Sequence, residues 1–178
     1  MKKKHQLVLN SKNKKKNFLV VVAIGKKALL EWNKYSKPLC LKYCKKYSLG
    51  LIVITDDLID KEDPFWKKAT WQKMLVGNYL NEVGLKIKNI CILDLDILIN
   101  PNSPNIFDHH DKKKISVVSM LKYLPYDLNF IRKRISFNRN RFYSKKYKLD
   151  SALFMNIKQI YKYHKVKPQK GFACSGLV

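Results

Sequence analysis

Three stretches of this chain are apolar without alternation: NFLVVVAIG at residues 17–25, LGLIVITDD at 49–57 and ICILDLDILI at 90–99. A strand with one wet face alternates apolar and polar residues, whereas a strand covered on both faces can be apolar throughout, as in parallel sheets. Helical periodicity fills the gaps. Residues 27–47 place Leu29, Leu30, Trp32, Leu39, Leu41 and Tyr43 among lysines, as one helix or two interrupted at Pro38. In FWKKATWQKMLVGNYLNEVG, residues 65–84, Trp71, Met74, Leu75, Asn78 and Tyr79 recur at helical spacing. Strand, helix, strand, helix, strand predicts an α/β fold, a mostly parallel, doubly wound sheet flanked by helices. NPNSPNIFD, residues 100–108, reads as a turn and short helix, ISVVSM, 115–120, as a further strand, and LDSALFMNIKQIYKYH, 149–164, as a scaffold helix capped by Asp150.

Against this apolar background Asp94 and Asp96 stand out. A desolvated carboxylate costs several kcal/mol unless a cation or good hydrogen bonds meet it, so two of them call for a partner. Along an extended strand, residues two apart point to the same side, roughly 6.6 Å apart in Cα. Asp94 and Asp96 can then converge on one ion while Leu93, Leu95 and Ile97 face the other way. Two hard oxygen ligands favour Mg²⁺ or Mn²⁺. For a bare pair of this spacing the favoured reading is structural, two aspartates satisfied at a strand end and capping a turn, since the tripeptide is common. Asp56 and Asp57 end the preceding strand, as caps or as ribose ligands, so the acids gather at the edge where ligands of such sheets collect.

The 178 residues carry 37 Lys and Arg against 13 Asp and Glu, a net charge of +24. Such a chain is drawn to nucleic acid, a membrane surface or a phosphate-bearing substrate, and charge alone does not choose among them. Residues 131–148 hold eight basic residues and no acid, interleaved with Phe137, Phe142, Tyr143 and Tyr147. This mixture suits single-stranded nucleic acid, an acceptor-facing insertion or a solvated amphipathic helix. DHHD, residues 108–111, is read as a surface loop, because four adjacent polar residues cannot all face one ion. Cys40, Cys44, Cys91 and Cys174 form no C-x-x-C pair and are expected to be reduced, as in a cytoplasmic protein. A basic, flexible leader at 1–17 precedes FLVVVAI, but Lys26 and Lys27 follow at once, so this run is assigned to the first strand rather than to a signal peptide.

ICILDLDILINPNSPNIFD resembles the D-x-D segment of glycosyltransferases with the GT-A fold, particularly the retaining family-eight group. KATWQKML, residues 68–75, is similar to that family's helix before the D-x-D strand, with Lys68 and Lys73 at its basic positions. FLVVVAIG stands where the first strand contacts the base, which would put Ala23, Ile24 and Gly25 there. ACSGLV, 173–178, is similar to a later strand, with Ser175 and Gly176 matching and Cys174 in place of an asparagine. The resemblance implies a GT-A-like (Rossmann-like) nucleotide-sugar-binding domain over 18–178, partial and incomplete at its C-terminus, because the chain stops at Val178 inside an apolar run expected as a central strand. It implies a hexosyltransferase-type enzyme moving a sugar from a UDP-sugar to an acceptor left unassigned, with a glycan or a lipid-linked group as the candidates. Asp94 and Asp96 would hold Mn²⁺ or Mg²⁺ and the donor diphosphate, and Lys68 would stabilise the leaving diphosphate. No residue is assigned the catalytic role. Nucleic acid is not the expected partner, whereas peripheral contact with an anionic membrane is compatible with the charge. The rival expectation is a basic nucleic-acid or anionic-surface binding module in which the aspartates are structural.

Overall fold

The computed structural model describes residues 4–12, 16–111, 113–119, 122, 125–127, 129–131, 133–134, 137, 157–167 and 173–174. The described residues up to Val117 form one compact unit, and those from Val118 to Cys174 a second. The chain is mixed α/β, with a four-stranded, mostly parallel sheet in the first unit.

The first unit opens with β1 (His5–Leu9) and β2 (Asn17–Val22). A continuous helical run follows: α1 (Lys26–Glu31), a π-helical stretch Trp32–Ser36, and α2 (Lys37–Lys46). Next come β3 (Gly50–Ile54), α3 (Ala69–Gln72), a 3₁₀ turn Lys73–Leu75, α4 (Val76–Glu82), β4 (Asn89–Asp94) and a 3₁₀ turn Ile106–His109. The strand order is β1-β3-β2-β4. β2 runs parallel to both β3 and β4, and β1 is antiparallel to β3.

This order explains the unalternating strands. From β2 the chain crosses to β3 on one side, then returns past β2 to β4 on the other. The two crossovers cover opposite faces. Leu19, Val21, Ala23, Leu51, Val53, Cys91 and Leu93 pack with Trp32, Cys40, Tyr43 and Cys44 of the first crossover. Phe18, Val20, Val22, Ile52 and Ile54 pack with Val76, Tyr79 and Leu80 of the second. Each fully buried aliphatic side chain contributes on the order of 1.5–3 kcal/mol, so the doubly covered sheet is the main store of stability.

Pro38 sits in the first turn of α2, where its missing N–H costs least. The turn before it widens to π geometry instead of breaking, so residues 26–46 form one helical run with a local irregularity rather than two separated helices. Gly50 lies opposite Phe18 in the parallel ladder, and a Cβ at Gly50 would collide with the Phe18 ring.

Several expectations are corrected. The leader is not uniformly irregular: His5–Leu9 forms the edge strand, and Lys4 N–H and His5 Nδ1 lie 2.9 and 2.7 Å from the hydroxyl of Tyr79. The strand expected at 115–120 is only Val118–Ser119 (β5), and it pairs antiparallel with Ala173–Cys174 (β6) in a separate two-stranded sheet. Ala173 and Cys174 therefore do not belong to a central strand of the main sheet, while Ser175 and Gly176 lie outside the described residues. The helix expected at 149–164 is described as α5 (Ile157–Tyr163), with Asp150 outside the described residues. Most of the basic stretch 131–148 also lies outside them. No helix among the described residues is long and apolar enough to cross a membrane.

Candidate functional site

Because β3 and β4 flank β2 on opposite sides, the C-terminal ends of β2 and β4 form the point where the winding reverses, and ligands of open α/β sheets bind in the crevice there. Val22 and Asp94 are register partners, so the two strands end together. Past Val22 the chain stays tied to β3 through Ala23 N–H to the Ile54 carbonyl at 2.9 Å. It then turns at Gly25 (φ 95°, ψ 153°), a conformation open almost only to glycine.

The proposed base-contacting trio divides on inspection. Ala23 is fully buried, Ile24 is half-buried against the second cluster, and Gly25 is exposed. A ligand at this edge meets Ile24 and Gly25 but not the Ala23 methyl. Ile24, Gly25, Lys26, Lys27 and Glu31 line an open cavity of about 500 Å³ there.

Asp94 ends β4, and the Lys73 ammonium donates to its Oδ1 at 2.7 Å. Lys73 is only 4% exposed, and the Asp94 side chain 37%. Asp96 does not continue the pleat. The Ile97 N–H returns to the Asp94 carbonyl at 3.2 Å, making residues 94–97 a turn with Asp96 exposed. The extended geometry expected through Asp96 fails because the neighbouring ladder stops at Val22. The apolar half of that expectation holds: Leu95, Ile97 and Ile99 pack against the same cluster as Leu93. Ser36 Oγ donates to the Leu95 carbonyl at 2.6 Å and fastens this turn to the π-helical stretch. Farther along, Tyr43 Oη donates to the Pro104 carbonyl and accepts from Ile106 N–H, both at 2.8 Å.

The helix before β4 presents a different face from the one its spacing predicts. Trp71 and Met74 are 67% and 63% exposed, while Gln72 and Lys73 are buried with Val76, Tyr79 and Leu80. Gln72 is held by Leu58 N–H at 2.5 Å on its carbonyl and by its own amide donating to Asp57 Oδ1 at 2.6 Å and the Lys67 carbonyl at 2.7 Å. Asp57 thus anchors Gln72, while the next described helix has Lys68 at its N-cap, and Asp56 accepts from its neighbour Thr55. Lys68 occupies the N-cap position of α3, exposed. In the 108–111 loop, His110 Nδ1 meets Ser116 Oγ at 3.0 Å and Asp111 pairs with Lys114 at 3.1 Å.

Among the described residues no group of three or more His, Cys, Asp or Glu is gathered for an ion. Asp94 and Asp96 do not constitute a protein cage for a metal. A hard divalent cation of the kind completed by water and substrate phosphates asks for only one or two carboxylates from the protein. For that, Asp94 has one oxygen committed to Lys73 and a second to offer. Comparison with family models, with curated proteins and with solved structures gives no match.

Proposed function

We propose that this chain binds a nucleotide-diphosphate sugar, a UDP-sugar by class, at the reversal point of its sheet and transfers the sugar to an acceptor, as a GT-A-like glycosyltransferase. The observation that carries this reading is the position of Asp94. It is the last residue of β4, in register with the last residue of β2, in the one crevice of such a sheet where phosphate-bearing ligands collect. The anionic diphosphate faces Lys26 and Lys27 around Gly25, and the exposed Lys68 supplies a further cation toward developing negative charge. Asp94 and Asp96 would hold Mn²⁺ or Mg²⁺ together with the donor phosphates, and when bound the ion supplies Lewis-acid help to diphosphate departure. Lys73 fixes the Asp94 carboxylate in one orientation. Calorimetric titration with UDP-glucose and UDP-galactose, with and without Mn²⁺, tests the reading, and binding indifferent to the ion or absent throughout overturns it.

A second reading draws on the exposed Phe65, Trp71 and Met74, which lie beside Lys67 and Lys68 in sequence. Aromatic residues among cations suit single-stranded nucleic acid. Binding of an oligonucleotide that weakens steeply with salt and ignores Mn²⁺ distinguishes this reading from the first.

A further inference from the structure

On the other side of Glu31 from the Gly25 cavity lies a second depression of about 470 Å³, walled by the helical run at Leu30, Glu31 and Tyr35 and by the turn after β4 at Leu95, Asp96 and Leu98. Two features make it a formed groove. The walls are joined by the hydrogen bond from Ser36 to the Leu95 carbonyl, and the helical wall is π-helical from Trp32 to Ser36, an irregularity common at functional sites.

Its chemistry differs from that of the molecule around it. The chain carries a net charge of +24 with only 13 acidic residues, yet two of those acids, Glu31 and Asp96, line this one groove. Lys34, also in the lining, has its ammonium over the Tyr35 ring, 4.9 Å from the centroid. A phosphate, carboxylate or nucleic acid would meet two carboxylates against one lysine here, so the excess positive charge does not serve this place. Ser36 is buried and Leu95 half-buried, while the remaining lining is unusually exposed apolar surface, with Leu30 at 69%, Leu98 at 61% and Tyr35 at 55%. Carboxylates accept hydroxyl hydrogen bonds strongly, and aliphatic and aromatic surfaces cover C–H faces. A neutral polyhydroxylated ring presents both.

We infer that this groove is the acceptor subsite and that its ligand is an uncharged sugar, held by hydroxyl hydrogen bonds to Glu31 and Asp96 with its C–H face on Tyr35 and Leu98. The inference rests on the transferase reading, since Asp96 then stands between the donor and this groove. A glycan end fits, and an anionic lipid headgroup does not.

The test is an amide-resonance titration of the full chain with methyl glucoside, methyl galactoside, lactose and maltose at millimolar concentration, followed by Glu31→Gln. At least one sugar should shift the resonances of residues 30–36 and 95–98, and Glu31→Gln should weaken its affinity by about tenfold, the loss expected for a hydrogen bond to a charged group. Glu82→Gln, on α4, should leave that affinity unchanged. Glu31 is exposed, so the folded spectrum should survive the substitution. Shifts confined to other residues, no response to any sugar, or protection of Leu30 and Leu98 by phosphatidylglycerol vesicles instead of sugars would each overturn the proposal. The donor titration is separate. Sugar shifts in the groove without Mn²⁺-dependent UDP-sugar binding would remove the transferase reading and the acceptor role with it, leaving a sugar site. UDP-sugar binding with a silent groove would remove only the acceptor assignment.

Discussion

The Lys73 ammonium, 4% exposed, donates at 2.7 Å to Asp94, whose side chain is 37% exposed. The two halves of this pair are unequal, because the cation depends on the protein for its partner while the anion can still reach water. Asp94→Ala removes one charge-assisted hydrogen bond from a buried ammonium and should destabilise the fold by about 1.5–3 kcal/mol. Lys73→Met removes the buried charge itself and should cost no more than about 1 kcal/mol. Urea unfolding of both variants measures the asymmetry, and equal losses would contradict it.

Asp96 sits in an exposed turn, so Asp96→Asn should change stability by less than about 0.5 kcal/mol. It should nevertheless abolish Mn²⁺-dependent UDP-sugar binding. Unaltered calorimetric binding in this variant would remove Asp96 from the site.

Gly50→Ala places a methyl group into the Phe18 ring between two strands at the centre of the sheet. Overpacking of this kind costs about 1–3 kcal/mol, read as a lower urea midpoint. Phe18→Leu in the same chain should recover part of the loss, which a purely backbone effect at residue 50 would not allow.

Burial pushes the Cys40 thiol from its ordinary 9.0 up to about 11, and Cys44 and Cys91 up to about 12. In a Cys174→Ser background, the native chain should be unreactive toward a disulfide reagent at pH 8, and three thiols should appear on adding urea. The linkage has a definite sign. Above pH 9 the unfolded chain releases thiol protons that the folded chain keeps, so this contribution is complete below pH 9 and falls as pH rises toward 11–12. Cys44→Ala should make the decline between pH 9 and 11 shallower.

The winding of the sheet was legible because its cause is local. Runs such as Phe18 to Ala23 carry no polar side chain, so helices must cover both faces, and the alternation of Cys91 and Leu93 toward one cluster follows from strand period alone. Gln72 and Lys73 were not legible as buried residues. Their partners, Asp57 and Asp94, are 15 and 21 positions away, and periodicity reads Trp71 and Met74 as the inner face because polarity conceals the true one. The turn at Asp94 to Ile97 escaped for a related reason. It is imposed by where the β2 ladder stops, which is information held in another strand. The edge strand His5–Leu9 was obscured by the lysines on either side of it, and it is held by the hydroxyl of Tyr79, a long-range contact.

The π-helical stretch ahead of Pro38 also sets a phase. A π turn closes i→i+5 bonds and holds one residue more than an α turn, so the stretch absorbs that residue with α1 and α2 in phase, whereas one further residue inserted between Trp32 and Ser36 would rotate α1 against α2 by about 100°. With Cys40, Tyr43 and Cys44 holding α2 on the sheet, the rotation falls on α1 and turns Leu30 and Glu31 away from the turn that carries Asp96. Length in this segment therefore follows a one-sided rule: the loss of one residue turns the stretch into ordinary α-helix and is tolerable, and the gain of one is not.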